Sequence, residues 1–166
     1  TGKKKNIVLI GMPGAGKSTT GVLVAKALGM SFADTDLLIQ EREGRLLQEI
    51  IDGDGIERFL HIEEDAVARL DLDNCVIATG GSVVYGGESM RLLRRHGVVV
   101  YLKLDCDEIE QRIGSMAGRG VAIAKGQTLR DVFRERAPLY GRYADVVIDC
   151  AGLGVEEVVA RIVGSI

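Results

Sequence analysis

The chain has 166 residues, a formal net charge of −3, and 46% apolar against 27% charged residues. That length suits one compact domain with a sizeable core, and the near-balanced charge offers no basic surface for nucleic acid or for a membrane face. Its three cysteines, at 75, 106 and 150, stand singly without metal-ligand spacing, and their odd number argues against a disulfide framework, so they read as small buried side chains. No apolar run reaches membrane-spanning length, and Lys3-Lys4-Lys5 reads as a solvated flank of the first strand. The expectation is a single cytoplasmic domain over residues 1–166, acting as a monomer.

In chain order, Asn6 to Ile10 is a β-branched run that predicts a buried strand. Gly11 to Ser18, GMPGAGKS, follows it and fits the pattern G-x-x-x-x-G-K-[ST] at every specified position. Glycines let backbone N–H groups approach phosphate oxygens without a Cβ in the way, and the helix N-terminus that follows favours anions. Gly14, Ala15, Gly16, Lys17, Ser18 and Thr19 are therefore expected to bind nucleotide phosphates. Within that loop, Lys17 is expected to reach the β- and γ-phosphates and Ser18 to sit on Mg²⁺.

Thr19 to Leu28 predicts a helix, and Met30 to Ala33 a short extended piece ending at Asp34-Thr35-Asp36. Leu37 to Arg42 reads as a helix closed by Gly44, and Leu46 to Ile51 as another, broken by Asp52-Gly53-Asp54-Gly55. Ile56 to Leu70 predicts a long helix with Phe59, Ile62, Ala66 and Leu70 on one face. Cys75 to Ala78 is a strand ending at Thr79-Gly80-Gly81-Ser82. Glu88 to Arg95 is a helix, Val98 to Leu102 a strand, and Asp105 to Ile113 a helix. Gly114 to Gly126 carries four glycines and no clean period, so it reads as a mobile loop. Leu129 to Tyr143 predicts a helix that tolerates Pro138 or splits there. A last strand, Val146 to Ile148, and a last helix, Val155 to Val163, follow.

Strands alternating with helices imply an α/β fold with a parallel sheet and helices on both faces, whose ligands bind beyond the carboxyl ends of the strands. That rule gathers the phosphate loop, Asp34-Thr35-Asp36, Thr79 to Ser82 and the 114–126 loop at one rim. In an extended segment Asp34 and Asp36 point to one side. One can hold a magnesium-bound water while the other orients or deprotonates an acceptor hydroxyl; the plain alternative is a strand end and a helix cap. Gly80 and Gly81 permit close approach of a ligand, or mark an ordinary turn. Arg119 can close over a nucleotide as a charge donor or stay a solvated loop arginine, and Arg136 can fork onto a substrate carboxylate or lie on an exposed face.

Together these residues resemble shikimate kinase, a family of small P-loop kinases. The resemblance shows in GMPGAGKST at Gly11–Thr19, DTD at Asp34–Asp36, IATGG at Ile77–Gly81, VVVYL at Val98–Leu102 and ERAPLYGRYAD at Glu135–Asp145. It implies a three-layer fold with a five-stranded parallel sheet in the order 2-3-1-4-5, a substrate-binding helical region near 36–63 and a lid near 114–126. It further implies that Asp34 serves Mg²⁺ through water and Asp36 holds the acceptor hydroxyl. Arg119 would be the lid arginine, Arg136 would take the substrate carboxylate, and Arg112 would lie against the adenine.

The chain departs from the pattern at substrate and lid positions. Where the family carries G-E-x-x-F-R-x-x-E, this chain has Gly55-Ile56-Glu57-Arg58-Phe59-Leu60-His61-Ile62-Glu63, so Leu60 stands where a carboxylate-binding arginine is expected. Arg58 is the nearest cation in sequence and is expected to bind the substrate, although two residues rotate it about 200° around a helix. Ser82 replaces the third glycine of Gly-Gly-Gly, and the lid motif R-P-L-L is Arg119-Gly120-Val121-Ala122. The expected activity is ATP- and Mg²⁺-dependent phosphorylation of a hydroxyl on a small carboxylate metabolite, shikimate first. The alternatives are the same chemistry on another hydroxy acid, such as homoserine or a sugar acid, and a nucleotide-binding regulator without turnover.

Overall fold

The structure is a computed structural model in which residues 5–114 and 126–166 are described. Five parallel strands form one sheet in the order β2-β3-β1-β4-β5, as expected. They are β1 (Asn6–Ile10), β2 (Ser31–Asp34), β3 (Cys75–Ala78), β4 (Gly97–Lys103) and β5 (Val146–Asp149). In the central strand β1, Val8 pairs with Ile77 of β3 on one side and Val99 of β4 on the other. Every residue of β1 and β3 is buried, which explains why both read as unbroken apolar runs rather than alternating ones.

The helices are α1 (Lys17–Leu28), α2 (Thr35–Glu43), α3 (Leu47–Asp54), α4 (Ile56–Ala68), α5 (Gly87–His96), α6 (Cys106–Gly114), α7 (Leu129–Tyr143) and α8 (Val155–Ser165). A 3-10 turn at Val83–Tyr85, which the glycines of Thr79 to Ser82 gave no sign of, links β3 to α5. α3 continues through Asp52 and Gly53, and the expected break falls only at Gly55, whose φ is 88°. An interior glycine costs about 1 kcal/mol, too little to end a helix whose Leu47 and Ile50 are buried. α7 crosses Pro138 unbroken, because Pro138 and Arg134 lie on the exposed side, where water can take the carbonyl freed at Arg134.

The core has two parts. The larger encloses the sheet, and the smaller joins α2, α3 and α4 through Ile39, Leu47, Ile50, Phe59, Ile62 and Ala66. The second core lets the helical region over 36–63 stand as a unit beside the sheet edge. The three cysteines are buried and free. No helix among the described residues is long and apolar enough to cross a membrane.

Candidate active site

The phosphate loop turns through two left-handed glycines, Gly14 at φ 86° and Gly16 at φ 87°, and Gly16 caps α1. Lys17 therefore begins the helix, two residues earlier than periodicity suggested. Its side chain folds back under the loop, where Nζ donates to the carbonyls of Gly11 at 2.8 Å and Met12 at 2.9 Å. Burial lowers the Lys17 pKa to about 8, against the pull of Asp36, with Arg136 adding to the lowering and Asp34 and Glu63 resisting it.

β2 delivers Asp34 to the same rim. Its Oδ1 accepts from the backbone N–H groups of Asp36 at 2.9 Å and Leu37 at 3.2 Å, capping α2, while Oδ2 accepts from Ser18 Oγ. The capping role and the site role thus belong to different oxygens of one carboxylate. Asp36 is half-buried as a residue, but its Oδ1 is shut off from solvent and has no hydrogen-bond partner among the described residues. Burial and the neighbouring Asp34 raise its pKa to about 6, against Lys17.

β3 ends at Gly80 and Gly81, and here the absence of a side chain is a matter of space. A Cβ on Gly80 would stand 2.6 Å from Asp36 Oδ1 and 2.7 Å from Glu63 Oε2; one on Gly81 would stand 2.7 Å from Pro13 Cδ. Gly80 N–H donates to Thr35 Oγ1 at 3.2 Å, and Tyr140 donates its hydroxyl to the Gly81 carbonyl, so this turn is held from both sides. Arg136 is 1% exposed, on the inward row of α7 between Val132 and Tyr140. Its Nε donates to the Tyr85 hydroxyl at 3.2 Å, and its guanidinium carbon lies 5.2 Å from the Tyr85 ring centroid. Arg112 reaches over the loop from α6, with Nη1 donating to the Gly14 carbonyl at 3.2 Å.

One residue expected at the site is not part of this cluster, and another falls outside the described residues. Arg58 is exposed on α4, where its charge is felt by Asp54; neither Lys17, Asp36 nor Glu63 registers it. The physical reason is the rotation around the helix between positions 58 and 60. Arg119, and residues 115–125 of the expected lid, lie outside the described residues. Conversely, the site contains Glu63, which chemistry-led reading of the sequence left out. Glu63 is 3% exposed; burial raises its pKa to about 7, against a hydrogen bond from Ser82, with Asp36 adding and Arg136 and Lys17 opposing. Its signal was present: Glu63 falls on the apolar stripe of α4 with Phe59, Ile62 and Ala66, where a carboxylate has no structural reason to be.

The sequence profile described as shikimate kinase matches residues 13–166. The chain belongs to the shikimate kinase family. The shikimate kinase of Thermodesulfovibrio yellowstonii is 38% identical over 96% of this chain and 93% of its own length. That of Moorella thermoacetica is 41% identical over 89% and 86%. Among solved structures, the Acinetobacter baumannii shikimate kinase in complex with shikimate is 29% identical with a TM-score of 0.90, covering 98% of this chain and 92% of that one. A Janibacter sugar kinase, 16% identical with a TM-score of 0.59, shares the fold alone. Family membership makes this chain a small-molecule kinase that uses ATP.

Glu63 supplies a pH prediction. Its folded pKa lies above the ordinary 4.5, so below that value both folded and unfolded chains are protonated and nothing is lost. As pH rises from there through about 7 the buried charge forms and the fold loses stability. Glu63→Gln is expected to raise the melting temperature at pH 8 by several degrees, on the order of 1–3 kcal/mol, and to leave it unchanged near pH 4. Melting curves of both proteins across that range check it; an equal shift at every pH would contradict it.

Proposed function

We propose that this protein transfers the γ-phosphoryl group of ATP to a hydroxyl of shikimate. The observation that carries the reading is Asp36 Oδ1, a buried carboxylate oxygen without a partner. It stands close to Lys17 of the phosphate loop and over Gly80, and Arg136 Nη1 lies 3.1 Å from where a Cβ on Gly81 would stand. In the proposed reaction the acceptor oxygen attacks the γ-phosphorus, its proton passes to Asp36, and ADP leaves. A base with a pKa near 6 is ionised at neutral pH and still basic enough to take that proton. Lys17 meets the charge that develops on the phosphoryl oxygens, Arg136 with Tyr85 behind it takes the carboxylate, and Arg112 flanks the nucleotide.

Ser18 and Asp34 fit Mg²⁺. They offer hard oxygen donors in direct contact, and among the described residues no group of three or more His, Cys, Asp or Glu forms a metal cage. That donor set suits an ion that keeps several waters and shares phosphate oxygens. When bound, Mg²⁺ neutralises charge on the β- and γ-phosphates. Asparagine caps helices as well as aspartate does, so Asp34→Asn is expected to keep the α2 cap and the melting temperature while raising the Mg²⁺ requirement several-fold. Magnesium titrations of activity beside a melting curve measure both; an unchanged requirement with a lowered melting temperature would leave only the cap.

Leu60 favours a second reading, the same chemistry on another small hydroxy acid, because it offers no donor to a carboxylate. ADP release from ATP and Mg²⁺ across a panel of hydroxy acids, with shikimate and homoserine among them, separates the two. Shikimate is expected to give the highest kcat/KM. A better substrate elsewhere in the panel would overturn that choice, and no ADP release with any acid would leave a nucleotide-binding regulator.

A further inference from the structure

Glu63 is a buried acid whose own helix gives it no cation. The residues one turn away on α4 are Phe59, Leu60, Ala66 and Val67, none of them charged. Its Oε1 is satisfied from outside the helix, by Ser82 Oγ at 2.8 Å, and Ser82 is itself 3% exposed. Its Oε2 has no hydrogen-bond partner among the described residues and stands over Gly80 beside Asp36 Oδ1. Leu60, Glu63, Ser82 and Tyr85 line one cavity of about 60 Å³. Positions 60 and 82 therefore open onto one cavity with this carboxylate, and this chain supplies a hydroxyl at 82 and no charge at 60.

We infer that Ser82 is a positioning residue for the acceptor pocket, coupled to Leu60: the hydroxyl at 82 holds Glu63 in place of a cation at 60 and keeps Oε2 beside Asp36. The inference rests on the proposed acceptor being a hydroxy acid held by Arg136. Without the Ser82 hydroxyl, Oε1 is a buried acceptor with no donor. The cation that already acts on Glu63 from α7 is Arg136, so a released Glu63 turns toward the guanidinium that the substrate carboxylate needs. The loss then falls on the acid and not on the nucleotide. An arginine at 60 sits three residues before Glu63, close enough to pair with it, and makes the hydroxyl dispensable.

The test uses four full-length proteins: wild type, Ser82→Ala, Leu60→Arg and the double variant. Steady-state ADP release is measured with shikimate and ATP varied separately. Ser82→Ala is expected to raise the KM for shikimate about tenfold, the scale of one lost hydrogen bond to a charged group, with the KM for ATP unchanged. Adding Leu60→Arg is expected to bring the shikimate KM back to within about threefold of wild type. Additive effects, an equal rise in both KM values, or no effect of Ser82→Ala would overturn the inference. Melting temperatures of the same four proteins repeat the cycle without substrate: Ser82→Ala should lower the value and Leu60→Arg should recover it in that background. Additive melting shifts refute the pairing whatever the acceptor is. Wild type that ignores shikimate, with coupled melting shifts, would instead refute the choice of shikimate alone.

Discussion

Lys17→Ala is expected to lower kcat by about a hundredfold or more while the protein still folds. The side chain is buried, it links the Gly11 and Met12 carbonyls, and its charge is shared among Asp36, Asp34 and Glu63. A charge pre-set in a low-dielectric site acts most strongly where negative charge grows, on the transferring phosphoryl group. Alanine also removes the cation that restrains the pKa values of Asp36 and Glu63, so both acids should move further up. Single-turnover ADP formation, with circular dichroism to verify folding, measures the loss. Turnover within about threefold of wild type would remove Lys17 from the chemistry, since even one lost oxyanion contact costs more.

Asp36→Asn is expected to cut transfer to the acceptor by about 10²–10⁴-fold, the range of general-base catalysis, with ATP binding preserved. The stability readout separates this role from a helix-capping one. Burial and Asp34 oppose ionisation of Asp36, so a neutral amide relieves a cost above pH 6, and the melting temperature at pH 8 should be no lower than that of wild type. Asp36 also lies in the first turn of α2, where a negative charge contributes about 0.3–1 kcal/mol through the helix dipole, less than the burial cost it replaces. A folded variant with full turnover and a lowered melting temperature would reduce Asp36 to a helix-end charge.

Local chemistry made much of this protein legible before any coordinates. GMPGAGKS specifies its own conformation, because only glycine adopts the left-handed turns at 14 and 16 without strain and the lysine–serine pair has one productive neighbour, a phosphate. The strands β1 and β3 announced themselves as continuous apolar runs, and the alternation of strand and helix implied a parallel sheet with its site at the carboxyl ends. The sheet order 2-3-1-4-5 came from the resemblance carried by DTD, ATGG and ERAPLY, since strand period alone does not say which strand lies beside which.

Other features needed the third dimension. The sequence put Arg58 and Leu60 two places apart and left open which of them faces the acid; α4 settled it by turning Leu60 toward Ser82 and Tyr85 and leaving Arg58 in solvent by Asp54. Asp34 looked like either a cap or a metal residue, and the fold showed two oxygens free to do separate things. Ser82 looked like a lost glycine, yet it is the donor to a carboxylate 19 residues away in sequence. By itself the sequence determined the phosphate loop, the strand–helix alternation and the rim at which ligands gather, because these rest on backbone conformation and on periods of a few residues. Only the tertiary structure decided that Asp36 and Glu63 meet over Gly80 and that Ser82 and Leu60 share a cavity with Glu63, because burial, unpaired oxygens and pKa shifts belong to the space that α2, α4 and the end of β3 enclose together.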